Sequence, residues 1–271
     1  MKNDDIGHIL SSWPHDPDED LIVRIVEGGD GPKLQMRIDM GVIQMNLDGN
    51  PTGESPEGFE SWFEFYQNRR KREEDNEIDD FFSLDENDCK LLRQEAVHYY
   101  YRYLCLMKLG DHPRVLRDTD RNLRLFAFIK RYGSREMDRW ALDQYRPYVI
   151  MMNVRARAAL AVRDKAPFFG APGDDADTEP SPGADDLEAV RKAIDVIDGG
   201  IGKIVRFYEE YGIASEMDSS VELTVLKALK KEFMRIVPLS LEEQLEKAIS
   251  EERFEDAAGI RDMIRERKSG S

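Results

Sequence analysis

Four histidines and two cysteines are the side chains best suited to nucleophilic or acid–base chemistry, and their spacing assembles none of it. His8, His15, His98 and His112 are isolated from one another. His98 and Cys105 lie seven residues apart on one helical pattern, about 10 Å along the axis, too far for a thiol to pass its proton to an imidazole. Cys89 and Cys105 fall roughly 24 Å apart on the same pattern, which rules out an intrachain disulfide. Lacking CxxC spacing, they read as small apolar fillers. Asp175, Asp177 and Glu179 alternate as in a calcium loop, but Pro180 stands where that loop needs glycine, so a solvated acidic linker is expected. Gly199-Gly200-Ile201-Gly202-Lys203-Ile204 lacks the upstream glycine and the hydroxyl of a phosphate loop; it predicts a helix interruption or a close backbone crossing. No catalytic residue, metal ligand or cofactor is assigned.

Charge is more informative. The chain carries 39 Lys+Arg against 55 Asp+Glu, a formal −16, yet residues 89–164 hold 16 basic and 8 acidic side chains, a net +8, while residues 1–20 and 165–186 are each −5. After Pro113, Arg114, Arg117, Arg121 and Arg124 step by three, four and three, opposite Leu116, Leu123, Phe126 and Ile129 on a helix. The periodicity predicts a solvent-facing arginine stripe, suited to nucleic-acid phosphates, to an acidic protein or to this chain's own acidic segments. The plainer alternative is a solvated face paired locally with Asp118 and Asp120. The flanking acidic segments repel a long polyanion, which favours a protein partner over RNA or DNA.

The elements that must position these residues follow from hydropathy. Residues 1–20, with Trp13-Pro14-His15-Asp16-Pro17, predict an acidic, non-helical arm. Leu21–Val26, the Glu27–Pro32 turn and the alternations Leu34/Met36/Ile38 and Ile43/Met45/Leu47 predict an antiparallel three-stranded meander over 21–50. Phe59, Trp62, Phe63 and Tyr66 open a helix, and helical patterns follow at 85–109, 113–132, 135–164, 186–211 and 219–236. Residues 56–237 therefore read as stacked αα-hairpins, loosely resembling tetratricopeptide (TPR) repeats, interrupted by a Pro/Gly/Asp-rich loop at 165–185 expected to be flexible. The fold class is mainly α (α+β). No apolar run reaches the length of a membrane span, and the amino terminus lacks a signal-peptide pattern, so a cytoplasmic protein is expected.

The carboxy-terminal stretch has the most specific pattern. Ser240 and Glu243 form a capping box, Leu241, Leu245, Ala248 and Ile249 make one apolar stripe, and Phe254, Ala257, Ala258 and Ile264 make another beyond a polar turn. With Arg261-Asp262 in the second helix, residues 239–268 resemble the UVR motif shared by the excision-repair proteins UvrB and UvrC, Clp-type chaperone ATPases and the activator of a bacterial protein-arginine kinase. Gly259 departs from what a helix prefers. The resemblance implies a helical hairpin that contacts another protein, often a second such hairpin, with Leu241, Leu245, Ala248, Ile249, Phe254, Ala257, Ala258 and Ile264 forming its seam and Arg261 and Asp262 orienting polar contacts. The alternative is a hairpin docked on its own chain.

Three functions remain open at this point. The first is a non-enzymatic adaptor in stress response, protein quality control or DNA repair; the second is a nucleic-acid-associated repair factor using the arginines; the third is an enzyme of unknown chemistry.

Overall fold

The computed structural model describes residues 5–75, 82–162, 184–236, 245, 248–250 and 253–269. It is mainly helical with a small amino-terminal sheet: α1 (Gly7–Ser12), β1 (Ile22–Gly28), β2 (Gly31–Ile38), β3 (Gly41–Asn46), α2 (Trp62–Asp75), α3 (Glu86–Lys108), α4 (His112–Tyr132), α5 (Glu136–Asp143), α6 (Arg146–Ala161), α7 (Ala184–Glu210), α8 (Val221–Ile236) and α9 (Phe254–Ser269). Short 3-10 turns occupy Pro56–Gly58 and Ala214–Ser219.

The meander has the expected order, β1-β2-β3, antiparallel throughout, with Leu34 opposite Met45 and Ile25 opposite Leu34. Alternation buries Leu34, Met36, Met45 and Leu47 on the face toward the helices. Ile38, expected beside them, is exposed because it enters the turn before Gly41. The opposite face is covered as well. Arg24 lies 4.0 Å from the centre of the Trp13 ring, and Arg37 Nε donates to the Trp13 carbonyl at 2.9 Å, so the amino-terminal arm folds across the sheet. That arm contains a six-residue helix, α1, where none was expected; the Asp5 carboxylate accepts its first N–H at 3.0 Å.

Asp85 and Asp88 cap α3 reciprocally, and Gly110, at φ +73°, turns the chain into α4, where the Asp111 carboxylate accepts the Arg114 N–H at 3.2 Å. α3 and α4 form an αα-hairpin, α4 packs on α6, α6 on α7 and α7 on α8. Two apolar cores result. One joins the meander to α3, α6, α7 and α8 through Met36, Tyr103, Met152, Ile197 and Leu226; the other joins α2, α3 and α4 through Phe63, Leu92, Leu125 and Ile129.

The single helix expected over 135–164 is two. Pro147 has no N–H for the Asp143 carbonyl, and its ring excludes that turn, so α5 ends at Asp143 and α6 restarts with the proline in its first turn. Of the two readings of the glycine-rich string in α7, the close crossing holds and the interruption does not: the helix is unbroken, and a Cβ on Gly200 would lie 2.4 Å from Val154 Cγ2 of α6. Most of the 165–185 loop lies outside the described residues, and its last two residues, Ala184 and Asp185, already belong to α7.

Candidate functional site

Arg114, Arg117, Arg121 and Arg124 all project from α4, but they do not form one solvent-facing stripe. Arg121 is buried: its guanidinium sits 3.8 Å from the Tyr99 ring centre and pairs with Glu95. Glu95 in turn accepts the N–H groups of Trp62 and Phe63 at 2.6 and 3.1 Å, so the carboxylate closes the start of α2 while neutralising α4's cation. Burial lowers the Arg121 pKa to about 9, still above neutral pH. Arg114 forks onto the two Asp48 oxygens at 2.8 Å each, and Arg117 joins the same carboxylate and donates to the Leu47 carbonyl at 3.1 Å. These bonds, led by those from Arg114, hold the Asp48 pKa well below its ordinary value. Arg124 alone of the four is exposed without an acidic partner among the described residues.

Beneath this layer, Arg102 of α3 is 1% exposed and forks onto Asp118 of α4 at 2.7 and 2.8 Å. Its remaining nitrogen donates to the carbonyls of Asn46 and Gly49 at 3.1 and 2.7 Å. Arg102, Arg114 and Arg117 thus pin the end of the meander to the helical hairpin. Asp118 does pair locally, accepting from Arg117 Nε at 2.9 Å, but it is buried and Arg102 is its second partner; Asp120 pairs at the surface with Arg157 of α6 rather than with the stripe.

The cysteines are both buried and unbridged, with burial pushing their thiols up to about 11 (Cys89) and about 12 (Cys105). Neither is a thiolate nucleophile at neutral pH. Burial lowers the pKa of His98 and of His112, and His112 Nδ1 has no hydrogen-bond partner among the described residues. No group of three or more His, Cys, Asp or Glu side chains could hold a metal among the described residues.

What the sequence reading missed is a cleft of about 500 Å³ between α3, α4, the α5–α6 junction and the start of α8. Five tyrosines line it, Tyr100, Tyr101, Tyr103, Tyr145 and Tyr148, together with Glu222. The signal was legible as four tyrosines within residues 99–103, but only the break at Pro147 swings Tyr145 and Tyr148 toward them.

At the carboxy terminus, Ala248 and Ala257 are buried, and the Ala248 carbonyl accepts the Arg253 N–H at 2.8 Å. Leu245 and Ile264 are half-buried, whereas Ala258, Arg261 and Asp262 are exposed. Ile249 and Phe254, expected in the seam, are 52% and 67% exposed. Leu241 and the Ser240–Glu243 capping box lie outside the described residues. Neither Ala248 nor Ala257 belongs to the two main cores. No helix among the described residues is long and apolar enough to cross a membrane.

No match to the chain was found among curated proteins or among solved structures. Residues 240–268 match the family model of the UvrB/uvrC motif, known from DNA-repair proteins and a mediator of protein interactions.

Proposed function

We propose that the protein is a non-enzymatic adaptor whose hairpin at 239–268 is a separate unit that docks on a protein partner, a second UVR hairpin being the matching surface. The observation that carries this reading is the exposure of Phe254, 67%, and Ile249, 52%, inside a matched protein-interaction motif. Ala248 and Ala257 are buried, and the exposed large apolar side chains are left to cover something else. The TPR-like middle then serves as a scaffold, in the cytoplasm, for stress response, protein quality control or DNA repair. Polyanion binding through the α4 arginines has less support, because Asp48 holds two of them and a third is buried.

The test is a photo-crosslinking residue at position 254 of the full chain in native lysate, compared with Phe254→Ala and with truncation after Pro238. A discrete crosslinked protein, co-purifying with the wild type and lost from both variants while their urea midpoints stay unchanged, supports the adaptor. Equal co-purification by all three chains overturns it. So does a Phe254→Ala variant destabilised by about 2 kcal/mol or more, which is the mark of internal docking.

A further inference from the structure

The tyrosine cleft is absorbed neither by the hairpin nor by the arginine cluster. Its floor is buried: Tyr103 is 1% and Phe126 4% exposed, and Asn122 spends its amide on the Ala96 carbonyl (2.9 Å) and the Arg121 guanidinium (3.0 Å). Its mouth is open, with Tyr145 57% exposed. Tyr100 is the hub, its ring centre 5.4 Å from Tyr101, 5.6 Å from Tyr103 and 6.0 Å from Tyr148. Phenol rings present negative faces. Among the described residues no basic side chain lines the cleft, and its single charged lining residue is Glu222 from α8. One Glu222 oxygen accepts the Ser220 hydroxyl at 3.0 Å, and the other accepts no hydrogen bond among the described residues.

We propose that this cleft binds an organic monocation carrying a methylated ammonium group, seated against the tyrosine faces with Glu222 as its counter-charge. An anion would meet ring faces and a carboxylate of its own sign. A primary ammonium or a guanidinium needs several acceptors in fixed directions, and the cleft offers mainly ring surface. A polyamine needs more than one carboxylate. The volume fits a small molecule or a side chain with its flanking backbone. The shared chemistry has two sources, a free cation such as choline or a trimethyllysine side chain of a protein.

Isothermal titration of the full chain tests this with choline, with capped trimethyllysine and with 3,3-dimethylbutan-1-ol, the neutral isostere of choline. Both cations are expected to bind, choline about tenfold tighter than its isostere. Glu222→Gln should weaken the cations about fivefold to tenfold and leave the isostere unchanged, with an unaltered thermal melt. Tyr148→Leu should weaken the cations more than Tyr148→Phe does. Preference for trimethyllysine assigns the ligand to a protein, and preference for choline to a free molecule. Equal affinity for choline and its isostere, no heat from either cation at about 10 mM, or indifference to Glu222→Gln overturns the proposal.

Discussion

Replacing Arg102 with alanine would leave the Asp118 carboxylate, 0% exposed, without its fork and held only by Arg117 Nε at 2.9 Å among the described residues, and would release the carbonyls of Asn46 and Gly49. We expect a loss of about 3–5 kcal/mol in urea unfolding, the magnitude for breaking one side of a buried ion pair. Arg102→Lys should recover only part, since an ammonium cannot span the fork and both carbonyls. Asp48 gives a pH signature. Its folded pKa is depressed, foremost by the Arg114 hydrogen bonds, so its contribution to stability is complete above its unfolded value of about 4 and is lost as pH falls toward the folded value. Asp48→Asn should therefore lower the urea midpoint at pH 7 by more than at pH 3. An equal gap at both pH values would mean that the arginines do not hold the ionised form. These roles were hidden from a helical wheel. Periodicity places Arg121 opposite Leu123, but it cannot see that Glu95 and the start of α2 close over that side of α4. The tertiary partner, 26 residues away, decides burial.

At the scale of elements, the two neighbouring glycines of α7 separate packing from propensity. Gly200→Ala forces a Cβ to 2.4 Å from Val154 of α6 and should cost about 1–3 kcal/mol. Gly199→Ala meets nothing within 4 Å and should stabilise by about 0.5–1 kcal/mol through helix propensity alone. Thermal melts of the two variants should move in opposite directions. A close crossing was one of two readings of this string from sequence, and the choice between them rests on Val154, more than forty positions away. The strands were legible because alternation over six to eight residues is a local signal. The division between α5 and α6 was equally local, carried by Pro147, and was missed because the apolar period runs on through the break. α1 carried no comparable signal: it buries no residue, so no apolar stripe announces it.

For the molecule as a whole, the question is whether the carboxy-terminal hairpin shares the stability of the body. The meander and α3, α6, α7 and α8 share one core, and α2, α3 and α4 share another, with α3 common to both. Arg102, Arg114 and Arg117 lock the meander to the helices across those cores. This body should unfold cooperatively. The hairpin contributes buried alanines and exposed Ile249, Phe254 and Met263, and an Ala side chain buries too little apolar surface to add much. A chain ending at Pro238 should therefore match the full chain in unfolding free energy from urea to within about 0.5 kcal/mol, while hydrogen exchange in α9 of the full chain should be orders of magnitude faster than in α3 or α7. Adding a partner that seats on Phe254 should slow exchange in α9 and leave α3 unchanged. If truncation instead destabilises the body by about 2 kcal/mol or more, the hairpin is part of the folding unit, and its match to an interaction motif describes an internal joint.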